Sequence, residues 1–224
     1  MELITPVTIL DGCHSQDLAE TYVAEFIESK CANKKILADP LVIFMVGLPG
    51  SGKTYIRSRC AVSFGLDSFI VIDVDEILDR FYNNSNKCYK ESYKIFRLLI
   101  DACVKRRLSI ILEGTGKDLF KDIREFKRKK YTTMLCVNLV KISIAQQRAV
   151  IRAEKTGRVV RPEYIQGVYD MFKSNIPSYL ELPEVDYVRI FTNNGNVMGT
   201  EIAICEDKAQ CLIKKEEVAR LLIE

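Results

Sequence analysis

Short, mostly apolar runs alternate along the chain with longer stretches in which apolar residues recur at helical spacing. The apolar runs lie at 41–46, 69–75, 108–112 and 133–140, and the second of them ends in acidic residues. Such runs are typical of strands in a parallel sheet, which are buried on both faces. The helical stretches lie at about 15–30, 53–63, 90–106, 117–129 and 143–155, with another after Pro162. The alternation predicts an α/β fold with a mostly parallel sheet, flanked by helices that form right-handed crossovers.

The pattern changes near the end of the chain. A strand-like segment at 187–197 contains the pair Asn194-Gly195. An Asn-Gly pair between apolar residues is the sequence signal of a β-hairpin with a tight turn. We therefore expect a C-terminal hairpin beside the parallel strands.

The most specific motif follows the first apolar run. Residues 47–54 read Gly-Leu-Pro-Gly-Ser-Gly-Lys-Thr, which fits the phosphate-binding loop G-x-x-x-x-G-K-[ST] of a P-loop NTPase. Glycines allow backbone N–H groups to surround phosphate oxygens, and the following helix adds the positive end of its dipole. All of these residues are predicted to bind a nucleotide: Gly47, Leu48, Pro49, Gly50, Ser51, Gly52, Lys53 and Thr54. Lys53 is expected to reach the β- and γ-phosphates of ATP or GTP, and Thr54 to ligate Mg²⁺.

Two carboxylates end the second apolar run. Asp73 and Asp75 are predicted to alternate along the strand end and to point in the same direction. Asp75, the outer of the two, is the candidate base for an acceptor hydroxyl. Asp73 lies nearer the phosphate loop and is predicted to hold a magnesium-bound water and to contribute to binding of the substrate. The alternative is that Asp75 only caps a helix over 76–81.

The third apolar run leads directly into Glu113-Gly-Thr-Gly-Lys117. A carboxylate at the end of a buried strand is costly unless it has partners. Ligands of parallel α/β sheets bind beyond the carboxyl ends of the strands, so Glu113 and Thr115 are predicted to hold the acceptor substrate. A tight turn would account for the glycines but would require neither Glu113 nor Thr115. Lys117 is a further candidate.

Four arginines lie between the fourth apolar run and Pro162, namely Arg148, Arg152, Arg158 and Arg161. Arginine suits phosphate because its planar fork stays charged and binds two oxygens at once. At least two of the four are predicted to contact the donor phosphates from a segment that closes over the nucleotide and excludes water.

Two other clusters have alternative interpretations. The basic run at 124–130 is interpreted as the solvated end of a helix, and contact with a polynucleotide is the alternative. Tyr89, Tyr93 and Phe96 have helical spacing, and we interpret them as core residues rather than as a platform for stacking a base.

Composition narrows the class of protein. The 224 residues carry a net charge of +3, so nothing in the overall balance calls for nucleic acid or a membrane as partner. The 8 cysteines are scattered without a C-x-x-C pair, and the single histidine, His14, has no visible set of partners, which argues against a zinc site. Reduced thiols, the lack of a signal peptide and the lack of a bilayer-spanning apolar stretch predict a cytoplasmic protein without a membrane partner.

A chain of this length can form one or two domains, and we expect one over residues 1–224. It would comprise an N-terminal helical segment at 1–38, a nucleotide-binding core at 39–140, an arginine-bearing lid of helices at 141–182, and a hairpin with a final helix at 183–224.

Taken in order, these motifs resemble the zeta-toxin family of P-loop kinases, the toxin half of bacterial toxin–antitoxin pairs. The resemblance rests on the phosphate loop and on the segments 71–75, 112–116, 152–154, 175–181 and 188–195. The phosphate loop alone is shared by hundreds of families, whereas the ordered combination is much more specific.

The resemblance implies Mg²⁺-dependent phosphorylation, by ATP or GTP, of a hydroxyl on a nucleotide sugar such as UDP-N-acetylglucosamine. It implies that Asp75 is the base and that Arg152 and Arg158 stabilise the transferring phosphoryl group. It also implies that Glu113, Thr115 and Lys117 contact the sugar nucleotide, and that a small protein antitoxin is a partner. Family members often carry an acidic residue where Arg97 falls and an arginine at position 117, so the chain departs from the family on the acceptor side.

Two further functions are compatible with the sequence. One is a kinase of the same architecture that phosphorylates a polynucleotide 5′ end or another small metabolite. The other is a regulator that binds nucleotide through Lys53 but transfers no phosphoryl group. Asp75, Glu113 and the arginines favour a kinase over the regulator.

Overall fold

The computed structural model describes residues 16–64, 68–194 and 200–205. A single six-stranded sheet with the strand order β2-β3-β1-β4-β5-β6 forms the centre of this part of the chain. The strands are β1 (Leu41–Gly47), β2 (Phe69–Asp73), β3 (Ser109–Gly114), β4 (Thr132–Leu139), β5 (Tyr187–Thr192) and β6 (Thr200–Cys205). Strands β1 to β5 are mutually parallel, and β6 runs antiparallel to β5.

Helices connect the parallel strands, as the alternating pattern predicts. They are α1 (Gln16–Cys31), α2 (Lys53–Phe64), α3 (Val74–Tyr82), α4 (Tyr89–Lys105), α5 (Leu119–Arg128), α6 (Ile142–Thr156) and α7 (Pro162–Glu181). A short 3₁₀ turn at Asn86–Cys88 precedes α4. Pro162 occupies the first turn of α7, where its missing N–H costs no hydrogen bond.

The central strands are buried on both faces, which explains their continuous apolar sequences. The larger core cluster joins one face of the sheet to α1, α4, α5 and α7, with Phe44 and Phe126 in edge-to-face contact. A smaller cluster around Ile43, Met45 and Ile56 lies on the other face, beneath α2. Sheet and helices therefore fix the carboxyl ends of β1 to β5 at one common edge.

The C-terminal hairpin is confirmed, but its turn differs from the expectation. Thr192 pairs with Thr200, so the connection spans residues 193–199 and is longer than the two-residue turn that Asn194-Gly195 predicts. Residues 195–199 lie outside the described residues, as do His14 and the expected final helix.

The cysteines also depart from the expectation at one position. Cys31, Cys103 and Cys136 are buried and form no disulfide, as predicted. Cys88 is disulfide-bonded, so the prediction of reduced thiols is wrong there. In the part of the chain that is described, no helix is long and apolar enough to cross a membrane.

Candidate functional site

The phosphate loop connects β1 to α2 at the carboxyl edge of the sheet, and its glycines are required by geometry. Gly50 and Gly52 have φ values of +81° and +84°, in the region that disfavours residues with a Cβ atom. A Cβ atom on Gly50 would lie 2.4 Å from the carbonyl oxygen of Ala145 in α6, and one on Gly52 would lie 2.2 Å from Nδ2 of Asn193. The loop is thus packed closely against α6 and against the end of β5.

Two asparagine side chains hold the loop from beneath. Asn138, near the end of β4, and Asn193, just after β5, donate hydrogen bonds from Nδ2 to the carbonyl oxygen of Ser51, at 2.7 and 2.8 Å. All three residues are buried, and Oδ1 of each asparagine has no hydrogen-bond partner among the described groups. Both amides are therefore committed to Ser51, whose Oγ atom also accepts a hydrogen bond of 3.3 Å from Nδ2 of Asn138. The motif analysis missed this support, because no local pattern links Ser51 to residues so far along the chain.

Lys53 turns back into the loop. Its ammonium group donates hydrogen bonds to the carbonyl oxygens of Gly47 and Leu48, both at 3.0 Å. Burial lowers the pKa of Lys53, and the nearby carboxylates of Glu113, Asp73 and Asp75 only partly oppose this. An ammonium has three N–H donors, so one remains to bind a phosphate oxygen. Thr54, the next residue, is exposed at the start of α2.

Asp73 and Asp75 lie near the loop, but not on one face of a strand as predicted. Strand β2 ends at Asp73, whose carboxylate caps α3 by accepting a hydrogen bond of 2.9 Å from the backbone N–H of Asp75. Asp75 therefore lies in the first turn of α3 rather than on the strand, because the cap at Asp73 starts the helix. The alternative in which Asp75 is itself the cap is also wrong.

The environment of Asp73 disfavours a charge. Burial, followed by the negative charges of Asp75 and Glu113, raises the pKa of Asp73 to about 7. The hydrogen bond from the backbone of Asp75 and the positive charge of Lys53 act in the opposite direction. A cation bound near these three carboxylates would stabilise their charged forms.

Arg158 lies in the connection between α6 and α7 and forms an ion pair with Asp75. The two side chains are 18% and 30% exposed, so the contact lies at the rim of the site rather than in open solvent. This pair places the loop between α6 and α7 over the first turn of α3. The structure thus brings together Asp75 and Arg158, which are far apart in sequence.

The other three arginines lie in different surroundings. Arg152 is exposed on α6, yet its charge contributes to lowering the pKa of Lys53, so it lies on the side of the phosphate loop. Arg148, one turn earlier, has a buried Nη1 atom without a hydrogen-bond partner among the described groups. Arg161 is exposed at the N-terminus of α7. Of these three, Arg152 is the one whose charge acts on the phosphate loop.

Glu113 ends β3 and is paired with a residue that the motif analysis did not identify. Its Oε2 atom lies 2.8 Å from Nη1 of Arg57, and the Glu113 side chain is only 8% exposed. Arg57 follows Lys53 at i+4 on α2, so both basic side chains lie on the same helix face, and that spacing could have identified it. The register pairs Asp73 with Glu113, which brings the two carboxylates to neighbouring strand ends.

The turn after Glu113 is anchored at its far end. Gly116 has a φ of +80°, and its carbonyl oxygen accepts a hydrogen bond of 3.1 Å from the hydroxyl of Tyr179 in α7. Thr115 is half-buried in this turn, whereas Lys117 is exposed. Thr115 therefore lies beside Glu113, and Lys117 lies toward solvent.

Arg97 and the basic run at 124–130 are engaged in ion pairs. Arg97 on α4 contacts Glu125 on α5 at 3.1 Å and Asp122 at 3.6 Å. Lys129 also pairs with Glu125, at 2.7 Å, and Lys127 pairs with Asp186 at 2.6 Å. The helix-end interpretation of the basic run is supported, because its charges are used to hold α5 against its neighbours.

Oxygen ligands for a magnesium ion are available at the loop, but they do not form a complete protein site. No group of three or more His, Cys, Asp or Glu side chains in the described ranges is arranged to hold a metal ion. Mg²⁺ in kinase sites commonly takes one or two protein ligands, with phosphate oxygens and water as the rest. Thr54 and Asp73 can supply the one or two protein ligands. The negative charges of Asp75 and Glu113 near Asp73 would also favour a bound cation.

The sheet order and the phosphate loop after its central strand define a P-loop protein with a kinase-like fold. The chain belongs to the zeta toxin family: the family model described as "Zeta toxin" matches residues 24–201.

Solved structures share this fold at low sequence identity. A structure from the PezAT chromosomal toxin-antitoxin system of the human pathogen Streptococcus pneumoniae aligns with a TM-score of 0.62 at 18% identity, covering 92% of this chain and 96% of that one. The AvrRxo1-ORF1:-ORF2 complex with ATP aligns with a TM-score of 0.60 at 14% identity, covering 88% of this chain and 67% of that one. No curated protein matches the sequence.

Proposed function

We propose that this protein is a zeta-toxin-like kinase. It transfers the γ-phosphoryl group of a nucleoside triphosphate to a hydroxyl of a nucleotide sugar such as UDP-N-acetylglucosamine. The observation that carries the proposal is the position of Asp75, ion-paired with Arg158 and grouped with Lys53, Asp73 and Glu113 beside the phosphate loop. A nucleotide-binding regulator would not need a carboxylate at that position.

On the donor side, the residues of the loop bind ATP or GTP. The backbone of residues 47–52 surrounds the β-phosphate, and Lys53 reaches the β- and γ-phosphates. Thr54 and Asp73 would hold Mg²⁺, directly or through water, and a bound ion would neutralise charge on the phosphates. The buried, unpartnered Nη1 of Arg148 supports a nucleotide at this site, because phosphate oxygens would satisfy it.

In the transfer step, Asp75 accepts the proton of the acceptor hydroxyl. The acceptor oxygen forms a bond to the γ-phosphorus, and the bond from that phosphorus to the bridging β–γ oxygen breaks, which leaves the nucleoside diphosphate. Arg152 and Arg158 stabilise the charge on the transferring phosphoryl group. The contact of Arg158 with Asp75 supports this role, because it holds a guanidinium group beside the proposed base.

On the acceptor side, Glu113 and Thr115 bind the hydroxyl groups of the sugar, with Lys117 at the solvent edge. Arg57 orients Glu113 through their ion pair. A cytoplasmic location is part of this proposal. A polynucleotide 5′ end is not favoured as acceptor, because Lys127 and Lys129 of the basic run are already paired with acidic side chains.

A small protein antitoxin is the proposed partner. The membership in the zeta toxin family supports it, as does the likeness to a structure from a toxin–antitoxin system. An antitoxin that blocks the nucleotide would have to contact the rim formed by the phosphate loop and α6. Co-expression with the product of a small neighbouring gene, followed by co-purification, tests this partner.

The kinase assignment is tested with labelled ATP, Mg²⁺ and UDP-N-acetylglucosamine. Wild-type protein is expected to label the sugar nucleotide, and Asp75→Asn to lower the rate about 10²- to 10⁴-fold while ATP binding persists. Asp79→Asn, an exposed carboxylate on the same helix, is the matched control. An Asp75→Asn variant as active as wild type would contradict the assignment of the base. If UDP-N-acetylglucosamine is not labelled, a metabolite extract in the same assay identifies the acceptor by the mass of its product.

A further inference from the structure

Two large aromatic side chains beside Asp75 are exposed. Tyr89, at the start of α4, is 46% exposed, and Tyr164, in the first turn of α7, is 51% exposed. The sequence pattern predicted Tyr89 and Tyr93 as core residues, and this is wrong, since Tyr93 is also 39% exposed. Only Phe96 of that stripe packs against the core. Tyr89, Tyr93 and Phe96 do lie on one face of α4, but the two tyrosines on that face are exposed instead of being buried in the core.

The fold brings Tyr89 and Tyr164 to the same place from opposite sides. Helices α3 and α4 pack against each other in the larger core cluster, so Tyr89 at the start of α4 and Asp75 in the first turn of α3 lie on the same side of the sheet. The ion pair between Arg158 and Asp75 holds the loop that leads into α7, and Tyr164 follows on the first turn of that helix. Burial raises the pKa of Tyr89 to about 12, and Tyr164, Asp75 and Arg158 are among the nearby groups that act electrostatically on its hydroxyl.

The aromatic wall continues along α4 toward the other acceptor residues. Tyr93 lies one helical turn after Tyr89 and stacks on Phe96, with ring centroids 5.4 Å apart and an angle of 19° between the planes. Asp122 and Arg97 are among the charged groups that act on the Tyr93 hydroxyl, so this ring faces α5. Helix α5 begins just after the turn that carries Glu113 and Thr115.

We propose that Tyr89 and Tyr164 bind the ring that carries the acceptor hydroxyl, and that this ring is a sugar. The inference rests on the proposed kinase function. The hydroxyl must reach Asp75, so the ring that bears it must lie next to Tyr89. A tyrosine face is apolar and its edge carries a polar group, which suits a sugar ring with C–H faces and hydroxyl edges. The carboxylates of Asp75 and Glu113 then bind hydroxyl groups at the edge of that ring.

The first test uses substitutions in the kinase assay. Tyr89→Ala is expected to raise the KM for UDP-N-acetylglucosamine about tenfold and to leave the KM for ATP unchanged, whereas Tyr89→Phe stays close to wild type. Tyr164→Ala is expected to have the same effect to a smaller extent. Tyr22→Ala, another exposed tyrosine but on α1, is the matched control. An unchanged acceptor KM in Tyr89→Ala, with wild-type transfer intact, overturns the inference and leaves the kinase function standing.

The second test does not depend on turnover. The chain contains no tryptophan, so Tyr89→Trp introduces a single indole at the site. A sugar ring packed on it is expected to shift its emission to the blue and to shield it from acrylamide, with N-acetylglucosamine 1-phosphate and with UDP-N-acetylglucosamine but not with UDP. Quenching by UDP as well would indicate a stacked base and overturn the assignment to a sugar. No response to any of the three ligands would also overturn it, and Tyr22→Trp gives the background.

A third measurement separates this inference from the identity of the acceptor. If the extract assay yields a different product, the position of its phosphate is decisive. A phosphate on a sugar-ring hydroxyl, with less product from Tyr89→Ala at low extract concentration, supports the inference even though UDP-N-acetylglucosamine fails. A phosphate on an acyclic hydroxyl or on a protein side chain overturns it.

Discussion

The ion pair of Glu113 with Arg57 illustrates how single residues determine this site. Glu113 is almost fully buried at the end of β3, and a buried carboxylate is tolerated only with a charged or hydrogen-bonding partner. Arg57 supplies that partner from α2, one turn beyond the lysine of the phosphate loop. Lys53 of the phosphate loop and the cation that pairs with Glu113 therefore lie on one helix.

Replacement of Arg57 by methionine should leave Glu113 buried without its cation. We expect Arg57→Met to lower the free energy of unfolding by about 2–3 kcal/mol, somewhat less than for a fully buried pair because Arg57 is 24% exposed. Urea denaturation measures this change. Adding Glu113→Gln to the variant should restore part of the lost stability, since the uncompensated charge is removed. An Arg57→Met variant as stable as wild type would show that solvent or another group supports Glu113.

At the scale of elements, the ends of β4 and β5 shape the phosphate loop. Asn138 and Asn193 both donate to the Ser51 carbonyl, which turns this oxygen away from the space above the loop. The backbone N–H groups of the loop can then face phosphate. This support joins three segments that are distant in sequence, so it is a property of the sheet rather than of the motif.

Substitution of Asn193 by aspartate should reverse that contact. The new carboxylate would place a hydrogen-bond acceptor against the Ser51 carbonyl, where the amide had a donor. It would also add a negative charge beneath the phosphates. Asn193→Asp is therefore expected to weaken ATP binding about tenfold or more. Asn194→Asp is the matched control, because Oδ1 of Asn194 accepts a hydrogen bond from the backbone of Lys141 and aspartate retains that acceptor. Equilibrium binding of a fluorescent ATP analogue measures both. Equal affinities of the two variants would contradict a role for the Asn193 amide.

The contact between α4 and α5 should make stability depend on pH. Burial raises the pKa of Asp122 to about 6, and the Arg97 guanidinium at 3.6 Å only partly offsets this. In the unfolded chain the pKa is about 3.9, so between about pH 4 and pH 6 the folded state binds more protons than the unfolded state. This contribution to the free energy of unfolding therefore falls as pH rises through that window and is constant above it.

Asp122→Asn removes this titration. Relative to wild type, the variant should gain roughly 1–2 kcal/mol of stability between pH 4 and pH 7, because the amide has no charge to bury. Thermal unfolding at a series of pH values measures the difference. Asp118→Asn, an exposed carboxylate at the start of the same helix, should show little change. A difference that does not vary with pH would mean that Asp122 titrates normally.

Periodicity and motif together predicted most of the elements that position the site, and their failures have physical causes. Strand β1 and helix α2 match their predicted limits within a residue, because strong apolar runs and a specific loop define them. The predicted strand 69–75 was too long, since the side chain of Asp73 accepts a hydrogen bond that starts α3. The role of Asn193 and the exposure of Tyr89 could not be predicted, because both depend on which distant elements become neighbours in the fold.

For the molecule as a whole, the distribution of charge matters more than the net charge of +3. The dense basic run on α5 would by itself suggest a surface for nucleic acid. In the folded chain, Lys127 reaches Asp186 just before β5, and Arg124 lies 3.2 Å from Glu184. The positive charges of this run thus connect α5 to the segment before β5, while the arginines of α6 and of the following loop lie near the nucleotide site.

Neutralisation of Lys127 should therefore change stability rather than substrate recognition. Burial of Asp186 raises its pKa, but hydrogen bonds from Lys127 and Thr133 outweigh this and lower the pKa overall, so the carboxylate depends on its partners. We expect Lys127→Ala to lower the free energy of unfolding by about 1 kcal/mol, since both side chains are about one-third exposed. Urea denaturation measures this, with Lys121→Ala on the same helix as the control.

Neither variant should alter labelling of UDP-N-acetylglucosamine, and an RNA oligonucleotide with a 5′-hydroxyl should remain unlabelled with wild type. Labelling of that RNA, lost in Lys127→Ala and weakened steeply by salt, would instead assign the basic run to a polynucleotide acceptor.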